Sequence, residues 1–107
     1  MTSTKRLTPA QRKFLAGYLP DILHGDNADL GDVPRAEFVQ RVTGMDFDDS
    51  DVATLGMRRV ATRLADTGFI SALDIHPDVA GQPHIYLLFT ETGANALFEI
   101  NAKGITS

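Results

Sequence analysis

Three arginines, Arg58, Arg59 and Arg63, stand close together on one stretch of this chain, with Thr62 between them. A guanidinium pairs with the O6/N7 edge of guanine or with a phosphate, and a threonine hydroxyl reaches a base edge or a backbone oxygen. The chemistry offered is recognition of nucleic acid. Arg12 and Lys13, with Lys5 and Arg6 before them, would add flanking phosphate contacts. The plain alternative is a solvated face whose arginines pair with Asp51, Asp66 and Glu37. A second constellation is acidic: Asp46, Asp48, Asp49 and Asp51, with Asp26, Asp29 and Asp32 before them. It suits a basic protein surface, or it marks two solvated connections in which aspartate favours turns.

Other chemistry finds little to work with. The chain has no cysteine, which removes disulfides, thiolate metal sites and thiol catalysis. His76 and His84 could approach each other beside Asp74 and Asp78, but the spacing matches no zinc pattern. Gly25, Gly31 and Gly44 form no phosphate-binding loop, and no serine has a recognisable base partner. The expectation is a protein that is not an enzyme and uses no metal or cofactor.

The arginines need a helix to gather them. Met57, Val60, Ala61 and Leu64 fall at i, i+3, i+4 and i+7, so one side of a helix around 51–66 is buried and the arginine side is offered outward. Ser50 or Asp49 would cap it, Asp51 would sit at its positive end, and Gly68 would stop it. Ahead of it, Thr8-Pro9 starts a first helix carrying Phe14, Leu15, Tyr18, Leu19 and Ile22, which Pro20 kinks or ends near Leu19. Residues 25–33 read as a turn-rich connection in which Leu30 could anchor a short strand. Pro34 starts a second helix that buries Phe38, Val39 and Val42 and ends at Gly44. Met45–Asp49 reads as an acidic connection, with Met45 and Phe47 reaching the core.

Behind the central helix the period changes to that of strands, 69–75 and 84–89, joined by a loop with two prolines and a glycine. Thr90 then caps a last helix with Ala94, Leu97 and Phe98 on one side. The expected order is helix, helix, helix, strand, loop, strand, helix, with a two-stranded hairpin covering one end of three packed helices.

At 107 residues and 43% hydrophobic content the chain suits one domain over 1–107, with 1–7 and 104–107 expected to fray. No apolar run has the length of a membrane span, and the first residues lack the apolar centre of a secretory signal, so a cytoplasmic protein is expected. The net charge of −4 argues against strong nonspecific binding to nucleic acid. Charges of opposite sign are separated along the chain, however, and an acidic protein can present a basic face.

Two local patterns carry a family resemblance. Arg59, Leu64 and Gly68 in RRVATRLADTGFI match an arginine, a leucine and a helix-ending glycine followed by an apolar strand, with Ala61 in place of a leucine. Tyr86 to Leu97, YLLFTETGANAL, matches a strand-to-helix exit of tyrosine, apolar residue, threonine and glycine. Over roughly 34–98 the chain resembles a winged helix-turn-helix domain of the MarR and PadR kind. The resemblance implies an α+β fold and a DNA-binding transcription regulator that reads DNA with the helix around 51–66. With so few basic groups, a two-fold homodimer would double the contacts; Phe14, Tyr18, Leu97, Phe98 and Ile100 of the terminal helices either form its surface or pack within the core of one chain. The chain departs from the family in having about two extra helical turns' worth of sequence between Gly44 and Met57. The loop of its wing also lacks lysine and arginine. The other reading keeps the fold but changes the partner: a small acidic inhibitor of the phage or mobile-element type, anti-CRISPR proteins included, that binds a host protein complex or its exposed nucleic acid.

Overall fold

Thr8 opens the first helix with a reciprocal cap. Its hydroxyl accepts from the Gln11 amide at 3.1 Å and its own amide donates to the Gln11 side chain at 3.0 Å. The computed structural model describes residues 7–49, 55–76 and 84–103. Helix α1 spans Pro9–Ala16 and ends at a turn over 17–18; a short α2 follows at Leu19–Ile22. Pro20 is the second residue of α2, where its missing N–H leaves no helical bond unmade, so the expected kink is a clean break into two helices.

Residues Gly25–Asp32 form a 3-10 helix, where a loose connection or a short strand was expected. Its anchor is Leu30, which is fully buried. Helix α3, Arg35–Val42, follows Pro34 and buries Phe38 and Val42. Gly44 takes a left-handed φ of 93°, available to glycine without a Cβ penalty, and turns the chain into the sheet.

Met45–Asp49, expected as a connection, instead supplies a third strand. Strand β1, Asp46–Asp49, pairs antiparallel with β3, His84–Phe89, which also pairs antiparallel with β2, Ile70–His76. The order is β1-β3-β2, so the expected two-stranded hairpin is part of a three-stranded antiparallel sheet with a register shift between Ser71 and Asp74. The additional sequence between Gly44 and Met57 therefore includes a strand, and α3 and α4 are separated by β1 rather than by a short turn. Strand alternation turns Phe47 inward between exposed Asp46 and Asp48. The Phe47 ring lies 5.2 Å from that of Tyr18, in the turn between α1 and α2, and 5.7 Å from that of Phe89 on β3, locking β1 against both.

Helix α4, Leu55–Asp66, ends as the glycine predicts. Gly68 has φ 88°, and the Phe69 amide reaches back to the Leu64 carbonyl at 2.9 Å while that of Gly68 reaches Ala65 at 3.1 Å. Helix α5, Glu91–Lys103, begins at Thr90, whose hydroxyl accepts from the Gly93 amide at 3.1 Å and donates to the Gly68 carbonyl at 2.5 Å. One side chain thus joins the end of α4 to the start of α5. A Cβ at Gly93 would overlap the Phe69 carbonyl oxygen, so the glycine that weakens the helix locally is required by this close approach.

The architecture is α+β, with helices packed on one small antiparallel sheet. Phe14, Tyr18, Leu97 and Ile100 are buried in this core, and Phe98 packs against it. Of the side chains expected either at a dimer surface or in the core, Phe14, Tyr18, Leu97 and Ile100 are therefore core residues, and Phe98 is half-buried. No helix among the described residues is long and apolar enough to cross a membrane.

Candidate nucleic-acid interface

Helix α4 sorts its residues as its periodicity predicts except at Met57, expected on the buried side but 38% exposed in the first turn. Ala61 and Leu64 are fully buried, and Val60 and Ala65 pack against the core. Arg59, Thr62, Arg63 and Asp66 are exposed on the other side, and Arg58 is half-buried on the flank. At about 100° per residue, Arg59 and Arg63 lie roughly 40° apart around the axis and one turn apart along it. Their guanidiniums therefore share one stripe. Asp66 continues it at the C-terminal end. The Thr62 hydroxyl donates to the Arg58 carbonyl at 2.9 Å, so its hydrogen is committed to the helix.

Helix α1 packs against α4 and carries Arg12, half-buried, and Lys13, exposed. The fold therefore brings the two basic stretches onto neighbouring helices. Lys5 and Arg6 lie outside the described residues, as do Asp51 and the rest of 50–54, where the expected helix start and its cap fall, and the loop at 77–83.

Among the described residues, the cations of α3 and α5 are held differently from Arg12, Lys13, Arg59 and Arg63. Arg41 of α3 is ion-paired to Asp29 at 3.0 Å and to Glu37 at 3.2 Å, and also bonds Asn27 at 3.0 Å and the Asp26 carbonyl at 3.3 Å. Hydrogen bonding from Arg41 holds the Asp29 carboxyl below the usual range, and the guanidinium is pushed up in return. Arg35 bonds Asn95 at 3.0 Å, pairs with Glu99, and lies 4.7 Å from the centre of the Phe98 ring. Glu99 also pairs with Lys103 at 3.6 Å, and its carboxyl is lowered, chiefly by the hydrogen bond from Arg35. By contrast, Arg12, Lys13, Arg59 and Arg63 have no side-chain hydrogen bond or ion pair among the described residues. The expected pairing of Arg63 or Arg59 with Asp66 or Glu37 is not made there; Glu37 is committed to Arg41.

The acidic constellation takes another form than the sequence suggested. Asp46, Asp48 and Asp49 lie along β1, an edge strand, rather than in a loop. Asp46 accepts from the Tyr86 hydroxyl at 3.1 Å, and this bond is the main cause of the raised Tyr86 phenol. Charged outward residues on an edge strand discourage pairing with a second sheet. The alternation of aspartate and phenylalanine was the available signal for this strand, and the density of aspartate concealed it.

His76 and His84 are partners in the β2–β3 register, and His24 is exposed elsewhere. Among the described residues, no three histidine, aspartate or glutamate side chains gather as metal ligands. An open groove of about 620 Å³ runs between α3 and α5 beside Arg35, Gln40, Thr43 and Asn95, away from the α1–α4 face. No protein-family model, curated protein or solved structure matches the chain.

Proposed function

We propose that this chain is a nucleic-acid-binding domain of the winged helix-turn-helix type, a DNA-binding transcription regulator whose α4 meets the DNA. The observation that carries the reading is the split between the cations: those of α3 and α5 are ion-paired within the fold, while Arg12, Lys13, Arg59 and Arg63, on two packed helices, have no such partner among the described residues. A solvated face needs no such concentration, and a phosphate backbone rewards it by release of counterions. The hairpin directly behind α4 and the capped α5 behind the hairpin support the winged-helix assignment. Strand β1 between α3 and α4 is the departure from that family, which joins the two helices by a short turn.

The test replaces Arg59 and Arg63 together by alanine and follows binding to labelled duplex DNA by anisotropy. If each guanidinium releases one counterion, affinity at 0.1 M salt falls roughly sixtyfold. The melting temperature stays within a degree or two of the parent, since neither side chain holds anything within the described fold. Unchanged affinity in a folded double variant sinks the proposal.

A further inference from the structure

The way the cations are held says what kind of contact they make. Reading a base is favoured when surrounding groups already fix the guanidinium fork in orientation, because both of its hydrogen bonds must meet one base edge and ordering a free side chain costs entropy. Arg35 and Arg41 are fixed in that manner, each by several partners. Arg59 and Arg63 are not: no described side chain orients either one. An unheld arginine still supplies a positive charge at full strength, and a phosphate asks for little more.

Of the remaining polar groups of the face, half-buried Arg58 is already engaged, and exposed Asp66 is a carboxylate that a phosphate repels. The Thr62 hydroxyl is committed to the Arg58 carbonyl. Gln11, the one amide side chain on α1, is buried and closes the Thr8 cap. Helix α4 contains no asparagine or glutamine, the side chains that read adenine by two bonds. Aromatic side chains are missing too. The single aromatic on α1, Phe14, is buried, and α4 has none. Single strands are gripped largely by stacking their bases on exposed rings, so this face offers a single strand little beyond its charge. Duplex DNA presents phosphates in regular rows and needs no stacking platform.

We infer that the α1–α4 face takes duplex DNA by its phosphates, through Arg12, Lys13, Arg59 and Arg63, with little preference among sequences. This rests on the proposed DNA-binding function and narrows it: α4 is a docking element held by charge, and any selectivity of a regulator built on this domain comes from outside this face.

The experiment measures binding of the full chain to an A·T-only duplex, a G·C-rich duplex and a single strand, over a range of salt, beside the variant carrying R59K and R63K. The expected result is that the two duplexes bind within about fivefold of each other, the lower end of what one bidentate arginine–guanine pair discriminates. The logarithm of affinity falls against the logarithm of salt with a slope of about −3.6 for four phosphate contacts on a duplex. The lysine variant keeps its affinity within about fivefold, because it keeps the charge and loses only the fork. A larger preference for one duplex, a larger loss in the lysine variant, or tighter binding to the single strand overturns the inference while leaving nucleic-acid binding in place. Failure to bind any of the three overturns the proposed function together with the inference.

Discussion

The arginines of α3 hold elements of the fold together, whereas Arg12, Lys13, Arg59 and Arg63 of α1 and α4 have no partner among the described residues. Arg41 reaches across from α3 to Asp29, Asn27 and the Asp26 carbonyl, and so clamps the 3-10 helix onto α3. Arg35 does the same between α3 and α5 through Asn95, Glu99 and the Phe98 ring. On the other side Arg59, Arg63 and Lys13 extend from their helices toward no described partner. The residue types are alike on the two sides; what differs is whether carboxylates and carbonyls are delivered to them. A cation that holds two elements together is part of the fold, and one that holds nothing is available to a ligand. Net charge, at −4, conceals this division, because a sum over the chain does not record which charges are already paired.

The comparison can be broken most forcefully at Leu30. It is fully buried, and it is the apolar anchor under the clamp that Arg41 closes from outside. Leu30→Ala removes that anchor and is expected to cost about 2–5 kcal/mol in denaturant unfolding. A loss below about 1 kcal/mol would mean the 3-10 helix is not part of the cooperative core. Next comes Arg41→Ala, which opens the clamp while leaving Leu30 in place. It should lower the melting temperature by less than Leu30→Ala does, and the R59A/R63A variant should show no such drop. Equal melting temperatures for these two arginine variants would erase the distinction between the sides.

The smallest effect is a pH dependence. Asp29 and Glu99 have carboxyl groups lowered from ordinary values of 3.8 and 4.5 by bonds from Arg41 and Arg35. Because the folded values are the depressed ones, their contribution to stability is complete above those ordinary values. It is lost as pH falls through the lower folded values. Melting temperature followed into acid should therefore fall less steeply in the R35A/R41A variant than in the parent, over the range beginning near 4.5 and continuing downward. The R59A/R63A variant should keep the parent's slope. A double R35A/R41A variant with an unchanged slope would show that these ion pairs are too well solvated to matter.

Much of the fold is legible from local rules. Thr8-Pro9, Pro34 and Thr90 start helices, and Gly44 and Gly68 end them, because caps and left-handed turns restrict residue type wherever they occur. The sides taken by Arg59 to Asp66 along α4 also follow from its spacing, but Met57, one turn earlier on the expected apolar side, is exposed. Strand β1 was not legible, because aspartate is a poor strand former and four residues give a weak period. Its pairing with β3, from Asp46 with Leu88 to Asp49 with Ile85, joins segments about forty residues apart, and only that partner makes the strand. The 3-10 helix was missed for a similar reason: turn-forming residues describe a connection equally well until Leu30 finds its core.

For the candidate site, the sequence by itself determined which residues could meet a phosphate and that Arg59, Thr62 and Arg63 share the outer side of one helix, since helical period settles that within a single element. The tertiary structure decided which charges remain to be used. Ion pairs between distant segments, Arg41 with Asp29 and Arg35 with Glu99, form only after packing brings carboxylates within reach, and by that packing α1 is laid beside α4 with its own cations. Spacing along a chain orders side chains around one helix axis; which partner a long flexible cation finds depends on what the fold sets a few ångströms away.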